Sequence, residues 1–341
     1  MDSIYQNIAV VILAAGKSTR MNSKLNKLMT QFEGQPLVHR VVSACQTHPF
    51  EKIILVVGPD SDALRNSFEP DTVGFAIQNE RLGTGHALMQ AVPHLARSVE
   101  NVVVLAGDHP FVSPECLEFL VRQHRENQAA ATVLTAVYNS PPGYGRILRD
   151  KGGRIQRIIE EKDATPEQRK IPEVNISTYC FHVPTVGPLL SQLQATNVQQ
   201  EYYLTDIIEV LLKNQQQVHA IPYHDNSIGI GINSRIDLAK ALAFSRKTHL
   251  ERLMRDGVTV LDPDSTCIES SVKIGRDTVI YPFTCLESNT EIGSDCKIGP
   301  NVHLKNVTIG DQVVMEFAVM ENTQIPSGTF VAPFSHIKNR I

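Results

Sequence analysis

Val11-Ile12-Leu13-Ala14-Ala15-Gly16-Lys17-Ser18-Thr19-Arg20-Met21-Asn22-Ser23-Lys24-Leu25-Asn26-Lys27 is the stretch that decides how the chain begins to fold. The apolar run of residues 8–13 has the length and composition of a strand buried on both faces. It stops abruptly at Ala14-Ala15-Gly16, and cations follow at Lys17, Arg20 and Lys27. A loop leaving the carboxyl end of a central parallel strand is where α/β sheets take their ligands. Small residues let backbone N–H groups close on phosphate oxygens, and the cations neutralise the charge. The loop therefore suits a polyphosphate. It is neither the dinucleotide fingerprint G-x-G-x-x-G nor a Walker loop with its first glycine four spacers ahead of Gly-Lys-Ser/Thr. A charged surface turn after a strand fits the same residues.

Around this loop, apolar β-rich runs alternate with amphipathic stretches. Residues 52–57, 73–77 and 102–106 read as strands, with helices at 34–45, 84–95 and 114–125, and further strands at 131–137, 154–160 and 176–183. This alternation predicts a mostly parallel sheet covered by helices on both faces. From Ser234 the pattern changes: Ser234 and Asp237 form a capping pair, a 3.6-residue apolar period runs through Ile236, Ala239, Leu242, Ala243, Leu250 and Leu253, and Gly257 stops it. A repeat follows. Ile268, Ile274, Ile280, Leu286, Ile292, Ile298 and Leu304 fall at every sixth position, and Ile309 and Met315 resume the period after one five-residue step. That is the hexapeptide signature of a parallel β-helix. By analogy with such solenoids, which bury one face against copies of themselves, a homotrimer is expected.

The 341 residues suit two domains, and a net charge of −4 gives no reason to expect a nucleic-acid partner. The apolar run at residues 8–15 is too short for a membrane span and lacks signal-peptide architecture, so a cytoplasmic protein is expected. The six cysteines include no C-x-x-C pair, which indicates neither a zinc site nor a disulfide framework. Cys267 and Cys285 lie 18 residues apart, one full β-helix coil, and read as two reduced thiols on one column.

Three more constellations carry chemistry. Gln78-Asn79-Glu80-Arg81-Leu82-Gly83-Thr84-Gly85-His86 sets two glycines around a threonine where a helix opens, which permits close approach to a flat ligand. The Gln78 amide has the donor and acceptor that a pyrimidine edge requires, and a helix start capped by Thr84 is the plainer reading. Gly107-Asp108-His109-Pro110 follows a strand, and a carboxylate there serves as a hard metal ligand or as an ordinary turn aspartate. Gly143-Tyr144-Gly145-Arg146, Glu160-Glu161-Lys162-Asp163, Glu173-Val174-Asn175 and Glu201-Tyr202-Tyr203-Leu204-Thr205-Asp206 are polar groups in β-rich sequence, suited to reading sugar hydroxyls, though each also suits a turn or an ion pair. Gly231-Ile232-Asn233 closes the series.

In this order the motifs resemble the bacterial bifunctional N-acetylglucosamine-1-phosphate uridylyltransferase/glucosamine-1-phosphate acetyltransferase family. The resemblance runs almost continuously from residue 8 to about residue 233 and on into the repeats. It implies a Rossmann-like nucleotidyltransferase domain over 1–233, a linker helix over 234–257 and a short left-handed parallel β-helix over 258–341. It implies uridylyl transfer from UTP to N-acetylglucosamine 1-phosphate, giving UDP-N-acetylglucosamine, a peptidoglycan precursor, and pyrophosphate. Leu13, Ala14, Ala15 and Gly16 would contact the nucleotide, Arg20 and Lys27 its phosphates, and Gln78, Gly83 and Thr84 the uracil. Gly145, Glu160 and Asn175 would hold the sugar, and Asp108 and Asn233 would coordinate Mg²⁺.

The chain departs from the family pattern at Ser18 (usually glycine), Asn26 (usually proline), Ala106 (usually aromatic) and Ile176-Ser177 (usually Thr-Gly), none of which removes a charged group. The family's repeat domain continues for several more coils bearing a catalytic histidine, so acetyl transfer is expected to be absent here. The Ile176-Ser177 change keeps another sugar 1-phosphate open as substrate. The molybdenum-cofactor nucleotidyltransferases share the L-A-A-G-x-S-x-R-M loop but not the repeats. A non-catalytic sugar-nucleotide-binding subunit is the remaining alternative, and Arg20, Lys27, Asp108 and Asn233 argue against it.

Overall fold

The computed structural model describes residues 3–17, 19–23, 25–141 and 143–339; Ser18 lies outside them. The chain separates into two compact units: residues 3–31 and 35–235, and residues 236–339 with 32–34.

The first unit is built on a nine-stranded sheet. Its strands are β1 (Ile8–Leu13), β2 (Lys52–Val57), β3 (Gly74–Ile77), β4 (Asn101–Ala106), β5 (Ala131–Val137), β6 (Arg146–Arg149), β7 (Ile155–Ile159), β8 (Glu173–His182) and β9 (Val218–Pro222). The spatial order is β9-β5-β8-β4-β1-β2-β3, with β6 joined to β8 and β7 joined to β6. β3, β2, β1 and β4 run parallel, and β8 enters antiparallel between β4 and β5. β1, at the centre, is fully buried at Ile8, Ala9, Val10, Val11 and Ile12, as a strand covered on both faces must be. Its even positions pack into one apolar cluster with helices α1 (Leu37–Gln46) and α3 (Pro114–Glu126), while Val11 joins the opposite cluster with α2 (Thr84–Ala91) and α4 (Ile207–Lys213). The helix expected at 34–45 thus begins at Leu37, after the short strand Gln35–Pro36, and the one expected at 84–95 ends at Ala91, ahead of Pro93.

The second unit opens with helix α5 (Arg235–Arg255) and continues as a parallel β-helix. The aliphatic repeat becomes three columns of stacked side chains. Val260, Ile280, Ile298, Met315 and Val331 are successive register partners, as are Ile268, Leu286, Leu304, Met320 and Ile337, and Ile274, Ile292, Ile309 and Ile325. Most of these side chains are buried in one core cluster. On the second face the strands are β10 (Cys267–Ile268), β11 (Cys285–Glu287), β12 (His303–Ile309), β13 (Val319–Ile325) and β14 (His336–Lys338). Residues that alternate with the columns point outward, as the period of two requires. Among the described residues no helix is long and apolar enough to cross a membrane.

The columns set a stability contrast. Ile298→Ala, at a fully buried position, should destabilise the second unit by about 2–5 kcal/mol. The outward-facing Val314→Ala, 37% exposed, should cost less than about 0.5 kcal/mol. Urea unfolding of both variants measures the difference, and equal costs would contradict the inward/outward assignment.

Candidate active site

Two strand ends start the site. Leu13 and Ala106 are register partners at the carboxyl ends of β1 and β4. Gly107 then closes on β1: its N–H donates to the Leu13 carbonyl at 3.0 Å, and a Cβ there would stand 3.1 Å from the same oxygen. This close approach carries Asp108 to the mouth of the sheet. The Asp108 backbone carbonyl accepts from Ile232 N–H at 3.0 Å, and Gly231 N–H donates to the Tyr144 hydroxyl at 3.2 Å, which brings Asn233 beside it.

Lys27 completes the cluster. Its ammonium donates to Asp108 Oδ2 and, at 2.9 Å, to Asn233 Oδ1, while the Arg20 guanidinium donates to that same Asn233 oxygen at 2.9 Å. Lys27 is presented by a short 3₁₀ turn, Lys27–Met29, whose leading backbone N–H groups need an acceptor. Asn26 supplies it, its side-chain oxygen accepting from Leu28 N–H at 3.0 Å, so the residue that replaces the family's proline acts as a cap. Burial pushes the Asp108 carboxyl up, but Lys27 and then His109 outweigh it and hold the group below its usual range, so it is a carboxylate. His109 is itself buried, and that burial lowers the pKa of its imidazole against the opposing pull of Asp108.

A second wall comes from the end of β3 and the start of α2. The buried Gln78 amide donates to the Gly83 carbonyl at 3.0 Å and meets His86 Nδ1 at 3.0 Å. Gly83 has φ +113°, which only glycine adopts without strain, and a Cβ there would meet the Tyr202 carbonyl at 2.6 Å. Thr84 Oγ1 accepts from Leu204 N–H at 2.9 Å, and Gly85 N–H donates to the Tyr202 carbonyl at 2.8 Å. The tight approach expected at these residues is therefore made to the chain's own segment 202–204. Arg81, to which sequence reasoning gave no role, donates from Nε to the Ala15 carbonyl at 2.7 Å and pairs with Asp60, tying this wall to the phosphate-type loop.

The third wall holds Glu160, which follows β7. Burial pushes its carboxyl up, against the Thr205 hydroxyl that donates to it at 2.9 Å. Asn175 on β8 is buried and donates to the Tyr179 hydroxyl at 2.6 Å, and its N–H donates to the Gly145 carbonyl at 2.8 Å. Just beyond, β8 shifts register between Asn175 and Thr178, and Ser177 takes φ 53°. That is the left-handed region, where the family's usual glycine sits without strain and a serine does not. The other acids of this stretch serve the scaffold: Glu173 binds Arg149 at 2.6 Å and accepts from Thr135, and Glu161 pairs with Arg146 at 2.8 Å.

Together the walls enclose a cleft of about 650 Å³. Leu13, Ala14, Ala15, Gly16, Lys27, Gln78, Gly83, Thr84, Asp108, Glu160 and Asn233 line it, as do Lys17, Arg81, His109, Tyr144, Ser177 and Tyr179. Arg20 reaches it through Asn233, whereas Gly145 and Asn175 sit behind Glu160 and Tyr179 rather than on the surface. Tyr179 lies outside every motif of the sequence, and only the folded sheet brings it to the cleft. A second cavity, of about 510 Å³, is lined by Asp163, Asp206 and Glu209, with Asp206 pushed up to about 6 by burial and by Glu209 and Asp163. Arg157 and Lys213 line that second cavity as well.

Residues 10–171 match the model of the MobA-like NTP transferase domain, and residues 271–306 match the bacterial transferase hexapeptide (six repeats). Over 331 residues the chain is 42% identical to the bifunctional protein GlmU of Acetivibrio thermocellus, covering 97% of this chain and 72% of that one. The bifunctional protein GlmU of Pelotomaculum thermopropionicum is 43% identical over 332 residues, with 97% and 72% covered. That of Halalkalibacterium halodurans is 39% identical over 332 residues, with 97% and 73% covered.

The Glu160 carboxyl gives a pH test. A raised folded pKa means the folded state binds the proton more tightly, so this group's effect on stability is most favourable at low pH and declines as pH rises from the ordinary carboxylate range through the raised value. Glu160→Gln keeps the acceptor for Thr205 and removes the charge. Its melting temperature relative to wild type should rise as the pH is raised from the ordinary carboxylate range, and a difference that stays constant would contradict the burial argument.

Proposed function

The chain belongs to the GlmU family of bifunctional proteins, and from that premise we propose that it transfers the uridylyl group of UTP to N-acetylglucosamine 1-phosphate, releasing pyrophosphate. It is a nucleotidyltransferase. The observation that carries the reading is the convergence of Lys27 and Arg20 on the oxygens of Asp108 and Asn233 at the mouth of the 650 Å³ cleft.

The attacking group would be a phosphate oxygen already ionised at neutral pH, so no general base is required. The difficulty is bringing two polyanions together. Lys27 and Arg20 lower that repulsion and offset charge on the α-phosphate and the departing pyrophosphate. The loop at Ala14-Ala15-Gly16, held by Arg81, orients the nucleotide, and alignment of the two phosphates supplies much of the remaining acceleration. Uracil would lie against Gln78, Gly83 and Thr84. The sugar would face Glu160, with Asn175 and Gly145 acting from behind by fixing Tyr179 and the turn beside it.

The donor set at Asp108 and Asn233, one ionised carboxylate and one amide oxygen, is hard and suits Mg²⁺. These two residues would hold the ion, which supplies Lewis-acid neutralisation of the phosphate oxygens. The MobA-like domain alone does not separate this reading from molybdenum-cofactor chemistry; relatives that match 97% of the chain, repeats included, favour the sugar nucleotide.

Pyrophosphate release from UTP and Mg²⁺ with a panel of sugar 1-phosphates tests the proposal. N-Acetylglucosamine 1-phosphate should be the preferred acceptor, and Asp108→Asn and Lys27→Ala should each lower kcat by roughly 100-fold or more. Near-normal rates in both variants, or no turnover with any sugar, would overturn it. The relatives' name records a second activity, and acetyl-CoA consumption with glucosamine 1-phosphate measures whether this polypeptide has it. The hexapeptide unit is proposed to hold a homotrimer, which a monomer mass by light scattering would refute.

A further inference from the structure

We propose that Cys285, Glu287 and His303, joined by Cys267, form a zinc-binding site on the outer face of the β-helix. The fold builds it by register. Cys267 pairs with Cys285 and Cys285 with His303 in adjacent parallel strands β10, β11 and β12, so the three side chains stand in one outward column over three successive coils. Coils stack at about 4.8 Å. Glu287 stands two residues after Cys285 in β11 and so projects on the same side. Ile268, Leu286 and Leu304, their immediate neighbours in the chain, point into the core.

The contacts converge. The Cys285 sulfur lies 3.7 Å from one Glu287 oxygen, and His303 Nε2 lies 3.4 Å from the other. One ligand atom from each of the three residues falls within 4.8 Å of the other two, the one such group of three among the described residues. Tetrahedral zinc, with bonds of about 2.0–2.3 Å, sets its ligands about 3.3–3.8 Å apart. Small side-chain rotations therefore suffice. Cys267, the register partner of Cys285 on the adjacent coil, stands outside that group of three and becomes the fourth donor by rotation of its side chain.

An ion pair between His303 and Glu287 and a pair of reduced thiols would explain the contacts two at a time. Two thiolates, an imidazole and a carboxylate form a borderline-soft set that selects zinc over magnesium. Each thiol releases its proton to solvent on binding. The set also differs in kind from the hard oxygens of Asp108 and Asn233. A bound ion would clip residues 267–303 of the β-helix, and ligation of the folded state alone raises stability by mass action.

The test uses the full chain, stripped with a chelator under a phosphine reductant and titrated with Co²⁺ and Zn²⁺. One equivalent of Co²⁺ should give the intense visible bands of a tetrahedral site and a thiolate charge-transfer band, and Zn²⁺ should abolish both. Cys285→Ser should remove most of the charge-transfer intensity and Cys267→Ser about half of it, while His303→Ala should weaken Zn²⁺ binding by at least roughly tenfold. All three side chains are at the surface or half-buried, and unchanged circular dichroism confirms folding. The wild-type melting temperature should rise with Zn²⁺ and that of Cys285→Ser should not. A weak octahedral spectrum, or spectra and affinities unaltered in the variants, would overturn the proposal.

Discussion

The ammonium of Lys27 between Asp108 and Asn233 is the interaction on which the site depends. A carboxylate at the mouth of a sheet, partly withdrawn from water, is costly unless a cation stands beside it. Lys27 provides that cation, and in doing so joins three distant parts of the chain: the loop after β1, the turn after β4, and the segment that ends the first unit. Under the proposed function, a divalent cation would draw on the same two oxygens that Lys27 holds, and substrate phosphates would compete for Lys27 itself.

Much of this was legible in the sequence, for a physical reason. Strands covered on both faces read as unbroken apolar runs, and a glycine or alanine at their carboxyl ends marks where backbone meets ligand. β1, β2 and β4 have that form, and their ends hold Leu13–Gly16 and Asp108. The strands that escaped notice lack it. β6 is four residues long with an arginine at each end, and Arg146 is buried only because Glu161 and backbone carbonyls engage its guanidinium. β9 is half-exposed at the sheet edge and ends in Pro222, where no further ladder donor is needed. The Gly83-Thr84-Gly85 stretch taught a different lesson: its glycines are required by the chain's own Tyr202 as much as by any ligand.

The β-helix shows the same limit more sharply. Its inward columns are visible as a six-residue aliphatic period, because burial constrains the residue type at each position. The outward column carries no such constraint. Metal-site patterns such as C-x-x-C assume ligands close in sequence, on one turn or knuckle. A coil of 18 residues instead places Cys267, Cys285 and His303 side by side, and no linear pattern contains that spacing.

A crystal structure of the chain with UTP and Mg²⁺ should show the nucleotide in the 650 Å³ cleft, with uracil against Gln78, Gly83 and Thr84 and Lys27 turned from Asp108 toward phosphate oxygen. A nucleotide bound elsewhere, with the Lys27–Asp108 pair intact, would contradict the proposed site.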